Sequence, residues 1–193
     1  MEKKLKSLIK AMIDFIAFPY ALFFIFLYKM GFNYKTCGTM ISKVSGLYGI
    51  SIRKIFYKKT LKYCGDNLRV FYGAYICYPS VTIGNNCTIE EYSIVSNCSI
   101  GNDVIIAANV SIMSGAHHHD VDDVNRTFIE STNPKLGHVT IGDNIWIGTH
   151  SVVMNDISSN SVVAAGAVVT KSFKEEYVVL GGVPAKIIKR RGI

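Results

Sequence analysis

The sequence predicts an all-β parallel solenoid preceded by a helical, hydrophobic and basic region. Two observations predict it. A hydrophobic residue returns every six positions from Ile83 to Ile112 and again from Ile141 to Val169, a period that fits neither a helix nor an ordinary strand and so marks a repeat architecture. Ahead of these runs stands an uncharged stretch, Phe15 to Tyr28, without that period.

Written out, the first run reads IGNNCT, IEEYSI, VSNCS, IGNDVI, IAANVS and IMSGAH, and the second IGDNIW, IGTHSV, VMND, ISSNSV, VAAGAV and VTKSFK. Each block opens with Ile or Val, and most carry a small or β-branched residue four places on, such as Ser93, Val104, Val110, Ser151 or Ala167. A six-residue block is one short strand plus its turn, with Gly, Asn and Asp supplying the permissive backbone of tight corners. Block heads then face a shared core. The short blocks at Val95 and Val153 are expected to be local bends or trimmed corners. Stacked β-hairpins would show a two-residue alternation and paired turn signals, which this stretch lacks.

Length and charge bound the remainder. At 193 residues the chain is about one domain with an appendage. Its net charge of +7 is unevenly placed: residues 1 to 69 hold 13 Lys or Arg against 3 acids, 70 to 170 hold 2 against 9, and 171 to 193 hold 6 against 2. A nucleic-acid binder would place its basic residues along the main surface, and here the repeat body is acidic, so no nucleic-acid partner is expected. Cys37, Cys64, Cys77, Cys87 and Cys98 are odd in number and form no C-x-x-C pair. They read as reduced thiols of a cytoplasmic protein, with Cys87 a small core residue.

In the amino-terminal region, 1–64, Lys3, Lys4, Lys6 and Lys10 precede the uncharged stretch and Lys29 follows it. Fourteen residues of helix rise only about 21 Å, short of a hydrocarbon core near 30 Å, which argues against a full span. A cleaved signal peptide is compatible with the charge, but the apolar run begins late and no small-residue cleavage site follows it. The favoured reading is a helix in the membrane interface, a peripheral contact at the inner face; the alternative is a helix docked on the solenoid or between subunits. A loop is expected over Gly31 to Thr39, then a basic amphipathic helix over Met40 to Tyr63, broken at Gly46 and Gly49. The solenoid is expected over 65–173, followed by a basic helix or tail over 174–193.

The segment from Gly115 to His138 lacks the block period and opens with His117, His118, His119 and Asp120. Structureless stretches of that length in compact domains are usually functional. Imidazole is a competent general base near neutral pH. Three adjacent histidines cannot all enter one site. A zinc site is not expected, because His138 and His150 come from separate coils and no second Cys or His cluster joins them. There is no G-x-S-x-G, P-loop or dinucleotide fingerprint, and Ser114 is a weak nucleophile candidate.

The blocks from Ile83 onward, with VTIGDNIWIGTHSVV, AAGAVVTKSF and GGVPAKIIKR, resemble the bacterial hexapeptide-repeat acyltransferases, in particular the maltose, galactoside and nodulation O-acetyltransferase branch. The resemblance covers about residues 65 to 191. It implies a left-handed parallel β-helix, a homotrimer, acetyl-CoA as cosubstrate in the groove between subunits, and a histidine base that deprotonates an acceptor hydroxyl. Counted from Ile112, the branch places that base at His117; a related xenobiotic acetyltransferase branch places it at His118. The carboxyl-terminal motifs match the first branch better, which favours His117, although Pro commonly follows the base there and His118 stands in its place. Asp120 or Asp122 would orient the imidazole. By motif, Thr149, Ala165, Thr170 and Lys171 line the CoA arm, and Lys186 and Lys189 meet its phosphates, with Arg190 and Arg191 as further candidates. Trp146 either closes the acyl site or packs at a corner, the second being favoured. The GLYGISIRKIFYKKTLKYCGDNLRV run looks more like acetyltransferases of surface-polysaccharide pathways, which shifts the acceptor from a free sugar toward a lipid-linked or polymeric one. Competing readings are a γ-type carbonic anhydrase, which needs histidines on successive coils, and a non-catalytic membrane-associated scaffold.

Overall fold

The computed structural model describes residues 2–114, 124–131 and 137–192. Three helices lead, α1 (Glu2–Lys29), α2 (Tyr34–Ser42) and α3 (Gly46–Thr60). Short strands then wind as a parallel solenoid, consistent with a left-handed β-helix. They stack into three sheets. Face A holds β1 (Tyr63–Cys64), β4 (Thr82–Ile83), β7 (Cys98–Ile100) and β10 (Val139–Ile141). Face B holds β2 (Arg69–Val70), β5 (Thr88–Ile89), β8 (Ile105–Ile106), β11 (Trp146–Ile147), β13 (Val162–Val163), β15 (Val178–Gly181) and β16 (Lys186–Arg190). Face C holds β3 (Tyr75–Ile76), β6 (Ile94–Val95), β9 (Ser111–Ile112), β12 (Val152–Val153) and β14 (Val168–Val169).

Successive strand residues point to opposite sides of a sheet, so each block head is buried while the residue before it faces out. Ile83, Ile89, Val95, Ile106, Ile147 and Val163 are among the heads that fill the interior. The expected corner fillers Ser93, Val104, Val110, Ser151 and Ala167 are fully buried, as is Cys87. Ser93 satisfies its hydroxyl by donating to the Ala107 carbonyl at 2.7 Å and accepting from the Val110 amide at 3.0 Å. The turn backbone is left-handed at Asn67, Asn86, Asp103, Asn144 and Asn160, a conformation Asn and Asp adopt more readily than most residues. Their side chains form a ladder along the A–B corner, Asn67 Nδ2 to Asn86 Oδ1 at 3.0 Å and Asn86 Nδ2 to Asp103 Oδ1 at 2.9 Å.

The register stays intact where the blocks are short. Ile100 pairs with Ile83 and Ile141, and Ile157 bridges Ile141 and Phe173. The lost residues come out of the C–A corner, as expected. The same corner absorbs every other irregularity up to Phe173: the steps Ile76 to Ile83, Ile112 to Ile141 and Val169 to Phe173 all cross it, whereas the other two corners keep six residues from Cys64 to Val169. The solenoid opens at Tyr63–Cys64, and Cys64, Val70 and Ile76 already stand six apart.

Three expectations outside the repeats are corrected. Gly31 to Thr39 is not all loop, because α2 starts at Tyr34 under an Asn33 cap whose side chain accepts from the Thr36 amide at 3.0 Å. The break expected at Gly46 falls over residues 43–45, just before Gly46 (φ +68) opens α3, but Gly49 does not break a helix: it lies within α3, where an added Cβ would sit 1.9 Å from the Val44 carbonyl oxygen. The basic tail forms neither a helix nor a free end but β16, antiparallel to β15.

Helix α3 closes the open end of the solenoid. An unpaired strand edge leaves amides and carbonyls without partners, and α3 supplies one for each face. Arg53 Nε donates to the Val70 carbonyl at 2.8 Å, Tyr57 Oη accepts from the Ile76 amide at 3.0 Å, and Lys58 Nζ donates to the Cys64 carbonyl at 2.8 Å. Helix α1 lies on α3 through Ala17, Ala21, Phe24 and Ile25, with an Asp14–Lys54 ion pair alongside. Its opposite side exposes Leu5, Leu8, Met12, Phe15, Ile16, Phe23 and Phe26. These positions recur at helical spacing, so the apolar surface is a stripe longer than the uncharged run suggests. By length and composition alone, Ser7–Lys29 could cross a membrane.

Candidate functional site

The long segment leaves the solenoid after β9 on face C and returns at β10 on face A. Its roots are fastened by polar groups stacked on the C–A corner. The hydroxyl of Ser114, a buried residue, is hydrogen-bonded to Ser96 Oγ and accepts from the Asn97 amide at 3.2 Å. Asn97 Nδ2 donates to the Gly137 carbonyl at 3.0 Å, and its Oδ1 accepts from Ser80 Oγ at 2.8 Å. Ser99 Oγ lies 2.9 Å from His138 Nε2. Asn97 thus holds both ends of the excursion, a role sequence reasoning missed; its place in the shortened block VSNCS was the available signal. Ser114 anchors a root rather than standing free as a nucleophile. His117, His118, Asp120 and Asp122 lie outside the described residues.

Within the excursion, Thr127 donates from its amide and its hydroxyl to Glu130 Oε2, at 3.0 and 2.9 Å, and these bonds hold the Glu130 carboxyl below its usual range. The neighbouring Val124, Phe128 and Ile129 are exposed.

The expected cofactor residues fall into three groups. Thr170 and Lys171 are on the C–A corner, one coil beyond Asn155, whose Nδ2 donates to the Thr170 carbonyl at 3.2 Å. They therefore share a corner with the loop roots, and the Lys171 ammonium lies 5.6 Å from the centre of the Phe173 ring. Thr149 and Ala165 are on the B–C corner, at the other end of β12 and β14 from Thr170, joined where the Gly166 amide donates to the Thr149 carbonyl at 2.9 Å. Gly148 permits this stacking: a Cβ there would meet the Ala165 amide nitrogen at 2.6 Å. Lys186 and Lys189 are exposed on β16 at the end of face B. Arg190 and Arg191 are tied down, Arg190 Nε to Glu175 Oε1 at 2.7 Å and Arg191 to the Asn160 carbonyl. The expected corner packing of Trp146 is corrected, since the residue is 56% exposed on the outer side of face B, in register with the outward Ile105 and Val162.

This geometry fits a long anionic thioester. Exposed ammonium groups at the carboxyl-terminal end suit phosphates, and the turns at Thr149 and Ala165 border face C. Among the described residues no cluster of His, Cys, Asp or Glu could hold a metal ion.

Comparison with known proteins matches the repeat architecture. A model of bacterial transferase hexapeptides (six repeats) matches residues 78–116, and one of the hexapeptide repeat of succinyl-transferase matches 138–171. Galactoside O-acetyltransferase of Escherichia coli (strain K12) is 33% identical over 150 residues, covering 71% of this chain and 68% of the relative. A maltose O-acetyltransferase from Clostridium difficile 630 superposes with a TM-score of 0.69 at 25% identity, over 80% of this chain and 83% of its own. A galactoside acetyltransferase in complex with coenzyme A superposes with a TM-score of 0.68 at 28% identity, over 81% of this chain and 80% of its own. The repeat register, the single interrupted corner and these relatives together place the chain in the hexapeptide-repeat acetyltransferase family.

Proposed function

We propose that this chain transfers an acetyl group from acetyl-CoA to a sugar hydroxyl of a surface-polysaccharide precursor, with His117 as general base. The observation that carries the reading is the shared C–A corner, which holds both the roots of the histidine-bearing segment and the Thr170–Lys171 pair. The acceptor hydroxyl is almost wholly protonated at neutral pH. His117 removes its proton as the oxygen attacks the thioester carbonyl, and the protonated imidazole returns a proton to the departing CoA sulfur. Such general-base assistance contributes about 10²- to 10⁴-fold. Thr149, Ala165, Thr170 and Lys171 hold the CoA arm, Lys186 and Lys189 its phosphates, and Trp146 the groove wall. The exposed Ile105 and Trp146 on face B support a neighbouring subunit across the groove, as in a homotrimer.

The enzyme works at the cytoplasmic side of the membrane. The uninterrupted apolar stripe of α1, facing away from α3, supports this placement. Purified protein with acetyl-CoA and a panel of saccharide acceptors is expected to release free thiol, and His117→Ala to abolish release with the thermal midpoint unchanged. Full activity of His117→Ala together with its loss in His118→Ala would move the base by one residue. Stoichiometric zinc without thioester turnover would overturn the reading. An Ile16→Glu/Phe23→Glu variant is expected to shift from the membrane to the soluble fraction.

A further inference from the structure

Two adjoining clefts lie beneath α1, of about 550 Å³ and about 650 Å³, and they share Lys10, Lys54, Asn67 and Leu68 in their linings. The first is walled by Ile9 and Ile13 of α1, Leu47 and Ile50 of α3, and Leu68 of the first coil. Five aliphatic side chains with cations at the margin make an amphipathic cavity in the size range of small-molecule sites. Arg69 borders the first cleft and Lys59 the second.

The cations differ in how far they are already neutralised. Lys54 is paired with Asp14, and Lys58 with Asp66 at 2.9 Å. Lys59 and Arg69 form no ion pair with a described residue; Arg69 only rests over the Phe71 ring, 5.0 Å from its centre. The cleft rim therefore carries positive charge beyond what the local carboxylates balance. None of these residues takes part in the proposed acetyl transfer.

We propose that this cleft binds a phosphorylated amphiphile, an acyl or isoprenoid chain seated against Ile13, Leu47, Ile50 and Leu68, with its phosphate held at the cationic rim to which Arg69 contributes on this cleft and Lys59 on the adjoining one. A free nucleotide or sugar would leave the aliphatic wall wet, and a neutral lipid would leave the rim charge unanswered. Continuity with the apolar face of α1 supports the same ligand. Ile9 lines the cleft and also borders the exposed stripe, so a chain can pass from a bilayer into the cleft without crossing water. The site stands whether or not the acetyl-transfer reading holds.

The ligand chemistry has two sources, a bilayer phospholipid and a lipid-linked saccharide. Isothermal titration of the full chain separates them. The probes are dihexanoylphosphatidylglycerol below its micelle concentration, farnesyl phosphate, and the net-neutral dihexanoylphosphatidylcholine and farnesol. At least one anionic probe is expected to bind about tenfold or more tightly than its neutral counterpart, a difference of one decade in Kd. Preference for phosphatidylglycerol assigns the cleft to the bilayer, and preference for farnesyl phosphate assigns it to the acceptor's lipid carrier. Lys59→Glu/Arg69→Glu and, separately, Ile13→Trp, which fills the cleft, are each expected to weaken that binding about tenfold. Because the rim variant changes only exposed side chains, it carries the test even where Ile13→Trp disturbs α1 packing. Equal binding of anionic and neutral probes, no binding at all, or full affinity in the rim variant at an unchanged thermal midpoint would overturn the proposal. Thiol release with a soluble sugar acceptor, measured on the same variants, is expected to stay at the wild-type rate, which keeps this result separate from any failure of the acetyl-transfer reading.

Discussion

Arg53 Nε donates to the carbonyl oxygen of Val70 at 2.8 Å, and the same guanidinium reaches back through Nη1 to the carbonyls of Ile41 and Val44, at 2.9 and 2.8 Å. One fully buried side chain thus joins the end of α2, the turn after it and the first strand of face B. Burial lowers the guanidinium pKa to about 10, and the nearby Tyr57 opposes that shift. Removing the side chain takes the donor from the Val70 and Val44 carbonyls, whereas the Ile41 carbonyl keeps the Val44 amide at 3.3 Å. Arg53→Met is therefore expected to cost about 3 kcal/mol, from hydrogen bonds to a charged group at about 1.5–3 kcal/mol and the orphaned acceptors. Chemical denaturation of the two proteins measures it, and a change under about 1 kcal/mol would show that water replaces the lost donors.

The five thiols are all buried. Burial pushes Cys64 up to about 11 and Cys98 up to about 12, and raises Cys37, Cys77 and Cys87 as well. The thiolate is the reactive form, so a chromogenic disulfide reagent at about pH 8 is expected to leave the native protein untouched and to titrate all five on unfolding. The sign for stability follows from acid groups whose folded pKa lies above the unfolded value of 9.0. Their contribution is complete below pH 9 and is lost as pH rises through 11 to 12.

Two glycines in neighbouring motifs predict different costs. Gly148→Ala would drive a methyl against the Ala165 amide, forcing the coils apart at a cost of about 1–3 kcal/mol. Because Thr149 and Ala165 flank that contact, the KM for acetyl-CoA is expected to rise too. Gly166 has φ +71, and nothing lies within 4 Å of the place a Cβ would take, so Gly166→Ala incurs only the left-handed backbone penalty of about 1–2 kcal/mol. Gly166→Asn should recover part of it. Thermal midpoints and acetyl-CoA titrations of the three variants check the order.

Lys186 and Lys189 are expected to act through binding. Lys186→Ala and Lys189→Ala should each raise the KM for acetyl-CoA several-fold, at about 1 kcal/mol per exposed charge contact, with kcat retained. The KM for a truncated thioester lacking the nucleotide should not change. Equal losses with both donors would place these lysines outside the phosphate site.

The repeat body was legible because burial enforces it: a residue such as Ile106 or Val163 at the wrong position would turn its side chain to water. Charge and composition do not encode strand pairing in the same way. The tail Lys186–Arg190 pairs through its backbone with Val178–Gly181, and its mostly exposed basic side chains give no alternation to read. Helix α2 was hidden by Gly38, a poor helix former kept because a Cβ there would come within 3.2 Å of Tyr57 Oη. The first coil was expected from about residue 65, but its six-residue step was not, since Cys64 stands where Ile or Val heads the later blocks. At the candidate site the sequence named candidate corner motifs but not that Thr170 and the loop roots share one corner, while Thr149 and Ala165 occupy another. That division depends on adding up every block length before each residue.

Val139 pairs with Cys98, and Val152 with Ser111, as though the chain between β9 and β10 were an ordinary turn. The coils above and below the excursion are therefore indifferent to its content. Segments of other lengths, taken from relatives with other acceptors, can be grafted between Ser114 and Gly137 without re-threading the strands, provided Asn97 keeps both junctions. The sequence of the excursion and the pairing of the scaffold can then change independently, and selection on one leaves the other free to drift.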